Sequence, residues 1–300
     1  MTILRGSDLD EAAKSVADAL RARGFPRIDA LYSLATGVGF LPAGLESGGR
    51  IELAKLPGVP ASWKGASLHI GRVRSADLLI IEDPASEPRG DVEGETPAAW
   101  ERAFPCWLAA ALGAAFCVHV GAGVALPPDS SDPSDPKEAP EPLAGRLVLL
   151  TDHINVSGRT PLVGLGESQL GPLFPDLSEL HHAGLRRAAL AHAERLGLPV
   201  SQAVGACTLG PALLTPAERR FLRIAGAQVA EQGLADPLLA SAHAGLSVLA
   251  VVAVTEDGED TLDVRAVVAE TQRLAPAIDE LLQALAEDVA RMAGELRDCD

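Results

Sequence analysis

Aromatic residues and basic charge are both scarce in this sequence. Phe, Trp and Tyr make up 3% of the 300 residues, and 25 Lys and Arg stand against 41 Asp and Glu, which gives a formal net charge of −16. Single-stranded nucleic acids bind through aromatic stacking, and phosphodiester backbones bind through Lys and Arg. We therefore expect no nucleic-acid partner.

Cysteine is also rare, and its spacing is irregular. The sequence contains Cys106, Cys117, Cys207 and Cys299, none in a CxxC pair. Three of them lie in apolar runs, where a free thiol behaves as a small hydrophobic group. This usage is typical of a reducing compartment, so we expect a cytoplasmic protein.

Generic catalytic and metal-binding signatures are missing as well. The sequence has no HExxH, no GxSxG and no P-loop lysine. The neighbouring histidines His181 and His182 lie in a predicted helix, where adjacent side chains point about 100° apart and cannot easily share one ion. We expect no metal site.

One apolar stretch, from Cys106 to Leu126, is long enough to cross a bilayer. Ala and Gly dominate it, and no cluster of Lys or Arg flanks it. We interpret it as a buried helix ending at Gly113, followed by a buried strand over residues 114–120, with a transmembrane helix as the alternative. Because the first residues also lack the basic end and apolar run of a signal peptide, we expect no membrane association.

Predicted strands alternate with predicted helices along most of the chain. This order favours an α/β fold with a mixed or parallel sheet, and we expect one domain over residues 1–300 with a central mixed β-sheet flanked by helices. Residues 127–142 are too polar and too rich in proline to fold alone, which predicts an exposed, mobile insertion.

Several helix boundaries can be predicted from local signals. Thr215, Pro216 and Glu218 form a capping-box pattern at a helix start. Other helices are expected over residues 9–23 and 177–196. A long amphipathic helix is expected over residues 264–297, with an interruption at its internal proline, Pro276.

A glycine-rich loop follows the first predicted strand, in the sequence Ala-Thr-Gly-Val-Gly at residues 35–39. Glycines allow backbone amides to converge on an anion, and the Thr36 hydroxyl can add a donor. A tight turn that needs glycine for packing explains the same pattern.

The segments LVLLTDHIN, SGRTPLVG and LGPALLTPAERRFLRIAGAQV carry a family resemblance. Together with HAGLSVLAVVAVT they resemble the trimeric purine nucleoside phosphorylases and methylthioadenosine phosphorylases, most strongly over residues 147–255. The resemblance implies a phosphorylase/hydrolase-like fold and a homotrimer. It also implies purine nucleoside and inorganic phosphate as ligands, with no cofactor.

In that family, phosphate attacks the anomeric carbon of a nucleoside while the purine leaves with a hydrogen bond at N7. Thr36 matches the serine that donates to phosphate, and Gly37 lies beside it. The family's Arg-x-His phosphate motif is absent after Ile81, where Arg89 is the nearby cation that can replace the arginine. Glu256 matches the residue at N7, and Asp257 follows it, so the resemblance makes these two acids the catalytic candidates. A solvated acidic loop is the alternative for them.

The resemblance also places a set of substrate-binding positions. The glutamate that holds the purine falls on Leu214, and the methionine and serine near the ribose and phosphate fall on Gln232 and Gly233. The full set is Ala122, Gly123, Leu213, Leu214, Gln232, Gly233 and His243. His243 also has a structural interpretation as a helix residue.

Several of these positions have lost the polar group that the family uses. Removing one donor aimed at a developing charge costs about a hundredfold to a thousandfold in rate. We therefore expect a purine nucleoside phosphorylase-like protein with weak or lost activity. The alternative is a non-catalytic member that binds a nucleoside or has a structural role.

Overall fold

The structure is a computed structural model that describes residues 6–35, 44–83, 97–126, 143, 145–256 and 264–298. The predicted insertion at 127–142 lies outside these residues. Within them the chain forms six α-helices and nine β-strands. The helices are α1 (Gly6–Arg21), α2 (Phe104–Ala111), α3 (Ala183–Leu196), α4 (Pro216–Ile224), α5 (Ala235–His243) and α6 (Val264–Arg297).

The strands occur between the helices for most of the chain, as the sequence predicts. They are β1 (Ala30–Ala35), β2 (Ser47–Glu52), β3 (Ser67–Val73), β4 (Ala76–Asp83), β5 (Phe116–Ala125), β6 (Leu147–Asn155), β7 (Val200–Thr208), β8 (Val229–Gln232) and β9 (Ser247–Glu256). Short 3-10 turns at Leu53–Lys55, Ala61–Trp63 and Ala99–Ala103 connect some of them.

All nine strands belong to one sheet, in the order β2-β3-β4-β1-β5-β8-β7-β6-β9. Strand β1 is parallel to both β4 and β5, whereas β8 is antiparallel to β5. Strand β9 pairs with β6 and also runs parallel to β5 over most of its length. Strands β5, β8, β7, β6 and β9 therefore form a closed ring, and the expectation of a mixed sheet is confirmed.

Helices cover both faces of the sheet because side chains on a strand alternate between the two faces. On β1, Leu31 packs in a cluster with residues of α1, α2 and α5. Tyr32 and Leu34 pack in a second cluster with residues of α3 and α6. The α/β fold with helices on both sides of a mixed sheet is thus confirmed.

Two predicted helices differ from the structure. Helix α3 begins at Ala183 rather than 177, because His182 is its N-cap and accepts a hydrogen bond from the Leu185 amide at 3.0 Å. Helix α6 continues through Pro276 without a break. Pro276 is exposed, so the carbonyl that loses its helical partner there can bond water instead.

The apolar stretch from Cys106 to Leu126 forms the short helix α2 and the strand β5, as the sequence predicts. The strand is longer than expected, since it runs to Ala125 and not to Val120. Among the described residues, no helix is both long and apolar enough to cross a bilayer.

Candidate functional site

A cavity of about 470 Å³ opens where several strands end. Ser33 of β1, the second half of β5, Thr208 of β7 and Thr255 of β9 contribute to its wall, and the first turn of α5 closes one side. Ligands of α/β proteins commonly bind at strand ends, and this volume is in the range of small-molecule sites. The cavity is therefore the candidate site.

Six of the predicted substrate-binding residues line this cavity together. Ala122 and Gly123 lie on β5, Leu213 and Leu214 in the loop after β7, and Gln232 and Gly233 at the end of β8. The Gln232 side chain donates a hydrogen bond to the Ala212 carbonyl at 2.7 Å, which fixes the loop after β7 against β8. The structure thus brings together residues that lie up to 111 positions apart in the sequence.

His243, the seventh predicted substrate residue, is not among the described residues that line the cavity. It is 1% exposed, and its Nδ1 accepts a hydrogen bond from Trp107 Nε1 at 3.0 Å. The two rings also meet edge to face, with centroids 5.8 Å apart. These contacts favour its interpretation as a structural residue that joins α5 to α2.

The predicted catalytic and phosphate-binding residues are only partly described. Glu256 is the last residue of β9, directly after the cavity residue Thr255, and its side chain is half-buried. Thr36, Gly37, Arg89 and Asp257 lie outside the described residues. Their assignments stay predictions.

A part-buried ion pair connects one wall of the cavity to its neighbouring loop. Arg102 donates to the Asp236 carboxylate through Nε at 2.7 Å and through Nη2 at 3.3 Å. The same Nη2 donates to the Thr160 carbonyl at 3.2 Å. Because Asp236 is in the first turn of α5, it also interacts favourably with the helix dipole. Arg102 therefore ties residues near Thr160 to α5.

Glu231 is a buried carboxyl next to the cavity. It is 1% exposed, one of its oxygens accepts the Leu234 amide at 2.9 Å, and the other, Oε1, has no hydrogen-bond partner among the residues that the structure describes. Burial raises the pKa of the Glu231 carboxyl to about 7, although the Cys207 thiol and the Leu234 amide act in the opposite direction. At neutral pH this carboxyl is thus close to half protonated.

Sequence reasoning missed three charged residues of the cavity: Arg159, Glu231 and Asp236. Asp236 stands before Pro237 at a helix start, and an Asp-Pro pair there indicates the helix start alone. Arg159 lies within the SGRTPL segment that supports the resemblance, and the motif itself does not indicate a cavity charge. Glu231 gave a weaker signal, as one acid in a short apolar strand.

In the described part of the chain, two groups of side chains can each offer three metal ligands within 4.8 Å of one another. One is buried and comprises Cys106, Cys117 and His119. The other comprises Asp152, His153 and His181, where a ring nitrogen of His153 lies 3.1 Å from one of His181. Thiolate, imidazole and carboxylate are the ligand types that zinc prefers. The expectation of no metal site rests on the His181-His182 pair, and the sequence gives no sign that His153 of β6 lies beside His181.

Comparisons with known proteins give a consistent result. The sequence model of the phosphorylase superfamily matches residues 47–287. Purine nucleoside phosphorylase 1 of Geobacillus stearothermophilus is 28% identical over 233 residues, which cover 77% of this chain and 78% of that protein. Purine nucleoside phosphorylase of Cellulomonas sp. is 39% identical over 112 residues, 37% of this chain and 36% of that protein.

A solved structure shows the same fold. The structure of Schistosoma mansoni purine nucleoside phosphorylase in complex with adenosine superposes with a TM-score of 0.75 at 23% identity, covering 92% of this chain and 96% of that one. The superfamily match spans most of the chain and includes the cavity residues from Val120 to Val267, but not Ser33 of β1. The chain therefore belongs to the phosphorylase superfamily.

Proposed function

We propose that this protein binds a purine nucleoside in the cavity and splits it by phosphorolysis into the purine base and ribose 1-phosphate. The observation that carries the proposal is the convergence of six family substrate positions on one cavity of about 470 Å³. The family's reaction uses inorganic phosphate as a co-substrate and needs no cofactor. The likeness to the Geobacillus stearothermophilus enzyme over 77% of the chain supports the same reaction class.

The reaction exchanges one bond at the anomeric carbon for another. A phosphate oxygen forms a bond to this carbon as its bond to the purine nitrogen breaks, and the electron pair leaves with the purine. An acid or donor at N7 stabilises the leaving base. Glu256, at the end of β9 beside the cavity residue Thr255, is the described candidate for that role.

We expect the reaction to be slow because polar groups are absent at two cavity positions. Leu214 cannot accept a hydrogen bond from the base, and Gly233 offers no hydroxyl to phosphate. The hydroxyl missing at Gly233 is a donor, and removing one donor to a developing charge typically lowers the rate about a hundredfold to a thousandfold. The turnover number should therefore lie at least about a hundredfold below that of an active relative measured beside it.

The test is phosphate-dependent release of base from inosine, adenosine and methylthioadenosine. The reactions are run at high enzyme concentration, and the released base is measured by chromatography. We expect release that rises with phosphate concentration and yields ribose 1-phosphate in equal amount. Release that is the same without phosphate would indicate hydrolysis instead. If no base appears from any of the three at stoichiometric enzyme over a day, the proposal is wrong.

A non-catalytic nucleoside-binding role is the second candidate, and the same two lost groups favour it. Titration calorimetry with inosine or adenosine separates the two functions. Binding without any release of base supports the second, and release of base supports the first.

We also propose a homotrimer, which the family resemblance implies. The segment between β6 and α3 exposes large apolar side chains, including Val163 at 65%, Leu173 at 53% and Phe174 at 86%. Exposed apolar groups of this kind are typical of protein contact surfaces. Sedimentation equilibrium is expected to give a mass close to three times 31.0 kDa, and a monomer at micromolar concentration would contradict the proposal.

A further inference from the structure

Arg159 is held in place at the cavity by contacts to its backbone on both sides. Its amide donates to the Ser157 hydroxyl at 3.1 Å, and its carbonyl accepts from Asn155 Nδ2 at 3.1 Å. The next residue, Thr160, is bonded through its carbonyl to Arg102. These contacts form a short, tied turn directly after β6, so the position from which the Arg159 side chain starts is fixed.

The guanidinium of Arg159 has no protein partner within the described part of the chain. Acidic partners are in excess in this protein, which has 41 acidic and 25 basic residues. Other arginines pair with carboxylates, as Arg72 does with Asp77, Arg102 with Asp236 and Arg291 with Asp288. Arg159 is half-buried and lines the cavity. A charged group kept from acids and facing a cavity is available to a ligand.

The two acidic groups of the cavity are partly neutralised, so they repel an anion less than two free carboxylates would. Asp236 is neutralised by Arg102, and the Glu231 carboxyl is buried and close to half protonated at neutral pH. Among the described lining residues, Arg159 is the one with a cationic side chain. It therefore provides the positive charge that this wall of the cavity presents.

The cavity hydroxyls are weaker donors than Arg159 because most of them already donate to protein oxygens. Thr255 donates to the Gly123 carbonyl, Thr208 to the Glu231 carbonyl and Ser157 to the Asn155 side chain. A guanidinium can instead offer two parallel N–H groups to two oxygens of one anion. Phosphate has the geometry that matches this fork.

We propose that Arg159 binds the phosphoryl group of the cavity's ligand, and that inorganic phosphate is the source of that group. The inference rests on the proposed function for the identity of the ligand. The inference places phosphate binding on the turn after β6. The family's phosphate motif is expected instead after Ile81 of β4. In the sheet order, β4 and β6 lie on opposite sides of β5. A nucleoside monophosphate carries the same phosphoryl chemistry and is the second source that the experiment distinguishes.

The first experiment measures binding and does not require turnover. Inorganic phosphate and inosine 5′-monophosphate are titrated separately into the full-length protein and into the Arg159→Gln and Arg159→Lys variants. We expect the dissociation constant for inorganic phosphate to rise about 10-fold to 100-fold in Arg159→Gln, the usual effect of losing a charge-assisted hydrogen bond. Arg159→Lys should recover part of the affinity because it keeps the charge and loses the fork.

Arg187→Gln is the matched control, since it removes the same charge from an exposed position on α3. Its phosphate affinity should stay within about twofold of the unmodified protein. Where base release is measurable, Arg159→Gln should raise the KM for phosphate about 10-fold or more. The KM for the nucleoside should change by less than about threefold.

The outcomes separate this inference from the proposed function. Equal phosphate affinity in Arg159→Gln and the unmodified protein overturns the inference, even if phosphorolysis is observed. Arg159-dependent binding of phosphate without release of base supports the inference and counts against phosphorolysis. Arg159-dependent binding of the nucleotide alone supports phosphoryl binding and overturns inorganic phosphate as its source.

Discussion

Replacing Asp236 with alanine is expected to lower the free energy of unfolding by about 3 kcal/mol. The change leaves the Arg102 guanidinium, 26% exposed, without its carboxylate partner. Breaking a buried pair by removing one partner typically costs about 3–5 kcal/mol, and partial exposure of Arg102 places the effect at the lower end. The loss of a negative charge from the first turn of α5 adds to it. Urea unfolding followed by circular dichroism measures the change.

Asp77→Ala is the control for this prediction. Arg72 and Asp77 also form two hydrogen bonds, at 2.9 and 2.8 Å, but their side chains are 52% and 42% exposed. An exposed pair contributes at most about 1 kcal/mol. The expectation is therefore a clear difference between the two variants, and equal losses would show that the Asp236 pair has no special importance.

Replacing Glu231 with glutamine is expected to remove a pH-dependent loss of stability. The folded pKa of about 7 lies above the ordinary value of 4.5, so the unfolded chain releases this proton first as the pH rises. The contribution of Glu231 is fully present below about pH 4.5 and is lost as the pH rises through 7. Between pH 5 and pH 8 the loss amounts to about 2–3 kcal/mol.

The measurement compares Glu231→Gln with the unmodified protein in urea unfolding at pH 5 and pH 8. The difference between the two proteins should shift by about 2–3 kcal/mol in favour of the variant at pH 8. Glu280→Gln, at an exposed position of α6, should show no such shift. Parallel pH profiles for Glu231→Gln and the unmodified protein would contradict the raised pKa.

Local signals in the sequence predicted those parts of the fold that depend on neighbouring residues. The Thr215 capping box is present, with the Glu218 carboxylate accepting the Thr215 amide at 2.7 Å. The interruption at Pro276 was wrong because a proline on an exposed helix face costs one hydrogen bond that water can replace. The helix expected from 177 starts six residues later because His182 caps it.

Pairings between distant strands could not be predicted from composition or periodicity. An apolar run such as LSVLAVVAVT indicates a buried strand, but it does not say that β9 pairs with both β5 and β6. The alternation of strands and helices indicates an α/β fold, and the family resemblance implies its phosphorylase/hydrolase-like form. The closed ring became visible only in the structure.

The candidate site was predicted where the family motif and the backbone coincide. Gln232 and Gly233 line the cavity because they end β8, and Leu213 and Leu214 line it because the loop after β7 returns over β8. Arg159 could not be predicted as a phosphate-binding residue, because that role depends on its guanidinium having no acidic partner among the described residues. Such an absence cannot be read from the sequence.

The pairing of β5 with β9 has a consequence for how this protein reaches its native state. Phe116 lies opposite Ser247, about 130 residues further along the chain, so this pairing has a high contact order and is expected to form slowly. During synthesis β5 and β6 leave the ribosome well before β9, and until β9 arrives their hydrogen-bonding edges are open to other chains. Aggregation during expression should therefore depend on temperature and on chaperone supply more than on the stability of the finished fold.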